Sequence, residues 1–185
     1  MNQKFKARGF FTVPDGTEVS PFLNATDINQ TDVPLGLLGE MSIAAGRVGP
    51  GVWSVIHMHP VVTQVTYVLA GLLTVRMKDD DSAHFYDVRL NAGQAVVTRP
   101  ATLFQLRNDG TATAEVLYIA SPSYVFELEA GVVVYDDAFL VPRSWDELEA
   151  CNYDVPELKL SASEVNARRA EAKRRIATVK ALSRT

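Results

Sequence analysis

Between Gly9 and Tyr135 the chain alternates short apolar runs with turn-forming residues, and no stretch of it repeats at helical spacing. Gly9 to Val13 predicts a short strand stopped by Pro14-Asp15-Gly16. From Thr17 to Pro34 turn formers are mixed with isolated apolar residues, which reads as a covering arm anchored by Phe22 and Leu23. Leu37 to Ala45 predicts a strand ended by Gly46-Arg47-Val48-Gly49-Pro50-Gly51. A strand through His57-Met58-His59 follows, then a bend at Pro60, a β-branched run from Val61 to Leu69, a turn at Gly71 and a returning strand from Leu72 to Lys78. Further strands are expected at His84 to Leu90, Gln94 to Thr98, Thr102 to Arg107, Ala114 to Ala120, Tyr124 to Leu128 and Val132 to Tyr135. Short strands at even spacing without helices between them indicate an all-β sandwich or barrel.

After Val141-Pro142 the pattern changes. Ser144 with Glu147, and Ser161 with Glu164, are capping boxes that predict two helical segments. In the second, Val165, Ala172, Ile176 and Val179 share one face, and Arg168, Arg169, Lys173, Arg174, Arg175 and Lys180 are read as its solvated basic side. Three parts are therefore expected: an N-terminal arm over residues 1–35, a barrel over 36–141 and a helical tail over 142–185.

Composition narrows the function. The 185 residues are 47% hydrophobic and 22% charged, with a net charge of -4, which argues against nucleic acid as a partner. No apolar run is long enough to span a membrane, and the N-terminus has no apolar segment of signal-peptide type. Cys151 is the single cysteine, so no internal disulfide forms; a reducing, cytoplasmic location is the default expectation.

The candidate chemistry centres on His57 and His59, which an extended strand projects to one side. The bend at Pro60 allows Gln64 to return toward them. The intervals linking Gly51, His57, His59, Gln64 and Gly71 resemble the first motif of the cupin family, with glutamine in place of its glutamate. Gly93 through Pro100 to Asn108 resembles the second motif. The second motif's histidine is absent: counting from Pro100 its place falls at Gln105, counting back from Asn108 at Phe104.

The resemblance implies a double-stranded β-helix, the jelly-roll or cupin barrel, with a C-terminal α-helical tail, as a homodimer through edge strands or the arm. It further implies a metal-dependent small-molecule enzyme, foremost a dioxygenase-like oxidoreductase, in which His57, His59 and Gln64 hold iron, manganese, nickel, copper or zinc. The alternative is a metal-free cupin in which His57 and His59 bind a ligand or act as acid and base in an isomerase or lyase. Trp53, Thr66, Phe104 and Gln105 are the candidates to touch the substrate. Outside this group, His84 is expected to be exposed and Asp79-Asp80-Asp81 to be a solvated hairpin tip.

Overall fold

The computed structural model describes residues 7, 9–24, 41–79, 82–129, 132–150 and 161–182. The strands in chain order are β1 (Phe11–Thr12), β2 (Glu18–Leu23), β3 (Ser42–Val48), β4 (Ile56–Met58), β5 (Thr63–Ala70), β6 (Leu72–Lys78), β7 (Tyr86–Asn91), β8 (Ala95–Thr98), β9 (Leu103–Arg107), β10 (Ala114–Ser121), β11 (Phe126–Glu129), β12 (Val132–Asp136) and β13 (Phe139–Val141). Two helices follow, α1 (Trp145–Ala150) and α2 (Ala162–Leu182). One antiparallel sheet runs β1-β2-β3-β10-β5-β8 and a second runs β13-β4-β9-β6-β7, while β11 and β12 pair as a hairpin.

The two sheets meet through one shared core. Val48, Val68 and Val116 come to it from the first sheet, and Leu73, Val75, Met77, Leu90, Phe104 and Leu106 from the second, all buried. Burial of this kind is the main favourable term in folding. A second cluster, Ile56, Met58, Leu103 and Val141 with Trp145 and Leu148, seats α1 on the outer side of the second sheet. Both capping boxes form: Ser144 N–H donates to Glu147 at 2.7 Å, and Ser161 N–H to Glu164 at 2.8 Å.

Three expectations change in detail. The described part of the N-terminal segment covers the barrel by extending its sheet, since β2 pairs along β3. Strand β3 continues through Gly46 to Val48 instead of turning there. Gly46 serves a close approach: a Cβ at this position would lie 2.2 Å from Cε2 of Tyr118. On α2, Arg169 is buried between Val165 and Ala172 and is not on the solvated side. Its Nε donates to Asp137 at 3.0 Å, and its guanidinium also donates to the Ser123 carbonyl. Residues 25–40, Asp80, Asp81 and Cys151 lie outside the described residues, as do the side chains of Ile176 and Val179. No described helix is long and apolar enough to cross a membrane.

Gly46→Ala forces the Tyr118 ring to move in a packed core. Overpacking of this sort costs roughly 1–3 kcal/mol, which urea denaturation of the variant should show. A loss below about 0.5 kcal/mol would mean that Tyr118 yields freely.

Candidate functional site

Strand β4 and the residue after it carry both histidines inward, each about 4% exposed. The turn through Pro100 holds the end of this strand, because Ala101 N–H donates to the His59 carbonyl at 2.9 Å. Ala101 takes a left-handed φ of 67° to do so, a conformation that costs a residue with a Cβ roughly 1–2 kcal/mol. From the opposite sheet, β5 turns Gln64 and Thr66 inward, and Gln64 donates to the Thr66 hydroxyl at 3.3 Å. His57, His59 and Gln64 line one cavity of about 600 Å³, a volume suited to a small organic molecule.

The register of β4 on β9 places Phe104 directly opposite His57. Its ring packs 4.0 Å from the His57 ring and 5.2 Å from the His59 ring, centroid to centroid. Phe104 therefore stands beside both imidazoles, and Gln105, next along the strand, faces the other way. Gln105 donates to the Ser54 carbonyl at 2.7 Å and accepts from the Trp145 indole at 2.9 Å, outside the barrel beneath α1. Trp53 is 55% exposed, lies under the Arg107 guanidinium and donates to Asp109. Neither Gln105 nor Trp53 reaches the cavity, because strand alternation and an exposed loop direct them outward. Thr66 lies behind Gln64 and supports it. His84 is exposed beside Glu149.

The cavity also gathers residues that the sequence did not single out. His57 Nδ1 lies 2.8 Å from the Val55 carbonyl, which can only accept, so Nδ1 carries a hydrogen. Its Nε2 faces Asp15 Oδ2 at 3.9 Å. Asp15 belongs to the turn between β1 and β2, and its other oxygen accepts from Thr17 N–H and the Thr17 hydroxyl, both at 2.8 Å. On another wall the Tyr124 hydroxyl donates to Asp136 Oδ1, which also accepts from Ala138 N–H at 2.8 Å. Asp15, Tyr118, Tyr124 and Asp136 all line the cavity. Asp15 carried only a turn signal, and Tyr124 and Asp136 fall at strand ends, so only the fold reveals their convergence.

Burial sets the protonation of these groups. It holds His59 well below the ordinary imidazole range, assisted by His57, so His59 is neutral; its Nδ1 is buried and has no hydrogen-bond partner among the described residues. Burial pushes Asp136 up to about 6 against the pull of its bonds from Tyr124 and Ala138, and Asp137 and Asp15 add to the rise. Burial also raises the Tyr124 and Tyr118 hydroxyls, so both stay protonated.

Residues 40–120 match the family model described as Cupin domain. These residues are a cupin domain. Among solved structures, the oxalate decarboxylase of Lactobacillus farciminis in its formate complex is similar at 14% identity and a TM-score of 0.53. The similarity covers 74% of this chain and 33% of that one. The Bacillus subtilis oxalate decarboxylase at pH 4.6 is similar at 19% identity and a TM-score of 0.50, over 59% of this chain and 26% of that one. The cupin domain of Drosophila melanogaster CENP-C gives 14% identity and a TM-score of 0.49, over 61% and 74%. At these identities the likeness is one of fold. No curated protein matches the sequence.

The metal site implied by the cupin pattern is not matched by this donor set. Two imidazoles are in place, but the glutamate position holds a neutral amide, a weaker donor than a carboxylate, and a phenyl ring stands opposite His57 where the fourth ligand belongs. Among the described residues no group of three or more His, Cys, Asp and Glu is arranged to hold a metal ion. The motif positions themselves supply no carboxylate to offset the charge of a divalent cation. Gln64→Glu/Phe104→His supplies both missing donors. After incubation with manganese or zinc and desalting, elemental mass spectrometry should find metal retained by this variant at least about tenfold above the parent; equal retention would show that the parent's donors suffice.

A second prediction follows from His59. Its unfolded form takes up a proton near the ordinary value of about 6.5, whereas the folded form resists. Below that pH the unfolded state binds more protons, so the His59 contribution to stability falls as pH falls. Urea denaturation from pH 7.5 to 5 should show the parent losing stability faster than His59→Phe, and parallel curves would contradict the buried neutral imidazole.

Proposed function

We propose that this cupin domain is a metal-independent small-molecule enzyme in which His57 moves a proton to or from a bound organic ligand, an isomerase- or lyase-type reaction. The observation that carries this reading is the His57 imidazole itself. It is anchored through Nδ1, turned with Nε2 into a cavity of about 600 Å³ and faced by Asp15, while Phe104 stands at the remaining ligand place of the cupin pattern. A buried imidazole fixed in one tautomer is a competent general base at Nε2, and as its imidazolium it returns the proton as acid. Tyr124, bonded to Asp136, is a second proton-bearing group in the same cavity.

The activity in the names of the decarboxylase neighbours is not carried over. Among the described residues the cavity lining includes two carboxylates, Asp15 and Asp136, and no Lys or Arg, an environment that opposes a dianion such as oxalate. A metal-dependent, dioxygenase-like oxidoreductase is the second reading. It is favoured by one feature, since a backbone carbonyl on the distal nitrogen is how metal-ligating histidines are commonly oriented.

The two readings separate in one experiment. Fragments that bind the protein, found by ligand-observed NMR, are incubated with it in D₂O. Loss of a ligand C–H signal is expected with the parent, in the presence of EDTA, and not with His57→Gln. Exchange that persists in His57→Gln would overturn the assignment to His57. Turnover that needs added metal and stops with EDTA would replace this reading by the metal-dependent one.

A further inference from the structure

The wall around His57 has an excess of acceptors. With Nδ1 committed as donor to Val55, the form of the ring that can act as a base offers only a lone pair at Nε2. Across 3.9 Å stands Asp15 Oδ2, also an acceptor. That separation is too long for a direct hydrogen bond, and two lone pairs cannot satisfy each other. The Thr17 bonds fix the Asp15 carboxylate through its other oxygen, so Oδ2 stays directed at this gap.

A ligand group that fills the gap must donate to both atoms. A hydroxyl has one hydrogen to give, whereas an ammonium has several. A nitrogen about 2.9 Å from each atom sees them roughly 85° apart, within reach of two N–H bonds of one ammonium. The surroundings agree with a cation. Asp136 adds a second carboxylate to the lining, and among the described lining residues no Lys or Arg offsets either. The described cations nearby are directed elsewhere: Arg169 to Asp137, Arg107 to Asp109, and Arg47 to Glu115. Phe11, Tyr118, Tyr124 and Phe126 line the same space, and aromatic faces attract alkylammonium groups.

We infer that the cavity takes an organic amine as its ammonium, with N–H groups shared between His57 Nε2 and Asp15 Oδ2 and the apolar remainder against the aromatic wall. This rests on the reading of the cavity as a small-molecule site with His57 facing the ligand.

Three probes of matched size test the assignment: benzylamine, benzyl alcohol and benzoate, titrated at neutral pH by ligand-observed NMR, with the His57 imidazole nitrogens followed in labelled protein. Benzylamine is expected to bind at least about tenfold more tightly than the other two and to shift the His57 resonances. Asp15→Asn keeps an acceptor for Thr17 while replacing the facing carboxylate. It should weaken benzylamine by about tenfold or more and leave benzyl alcohol nearly unchanged. His57→Gln, which retains a side chain of similar reach, should weaken benzylamine likewise, with the melting midpoint of each variant showing that it folds. Benzyl alcohol or benzoate binding as tightly as benzylamine, with the same His57 shifts, would overturn the amine assignment and leave the cavity reading standing. Benzylamine binding unaffected by Asp15→Asn would also overturn it. Absence of binding by all three at millimolar concentration would overturn both.

Discussion

The antiparallel pairing of β4 with β9 is the constraint on which the site depends. It is short, yet it fixes which side chain of the second motif confronts His57, and a slip of one residue would exchange Phe104 for Gln105. Two sets of contacts hold the register. Gln105 bridges the Ser54 carbonyl and the Trp145 indole, which only an outward-facing residue can do. Leu103 and Leu106 are both buried, one against α1 and one in the central core. The helix after the barrel thus contributes to the cavity without touching it, by locking the outer face of the strand whose inner face presents Phe104.

A second support comes from α2. Val125 and Asp137 bond reciprocally, N–H to carbonyl at 3.0 Å and N–H to carboxylate at 2.6 Å, which sets Tyr124 and Asp136 at neighbouring chain positions on the cavity wall. Asp137 is buried, and an unpaired buried carboxylate is costly. Arg169 meets that cost through its Nε and ties α2 to the same loop. The charge therefore belongs to the scaffold. Among the described residues Asp136 has no cationic partner, and burial raises its titration range.

Much of this was legible in the sequence, for physical reasons. Strand positions and inward faces follow from alternation, and the closing Gly71 follows from backbone geometry: its φ is 81°, and a Cβ there would stand 2.9 Å from the Thr113 carbonyl oxygen. The two histidines and Gln64 were found because local spacing dictates their common direction. Asp15, Tyr124 and Asp136 were not, since their approach depends on how the N-terminal strands and a distant hairpin close over the barrel. Arg169 was misjudged for a related reason. Helical periodicity places it among Val165 and Ala172, but its polar character suggested solvent, and only the facing Asp137 explains its burial. Gln105 and Trp53 show the limit of motif counting, which gives proximity in sequence and not the side of the strand.

The departures at Gln64 and Phe104 are better understood together than singly. With a metal ion present, a glutamate at position 64 is neutralised by the cation. Without one, the same carboxylate would be a buried anion beside a neutral His59 and within a cavity that already holds Asp15 and Asp136. An isolated charge of this kind costs several kcal/mol, or is lost by protonation. The amide keeps the shape, donates to Thr66 and brings no charge. Replacing the fourth ligand by a phenyl ring then removes a donor that would have no acceptor and fills its space with packing against both imidazoles. Each substitution makes the other less costly. Their joint presence fits the proposed reading of a barrel that works without a bound metal ion.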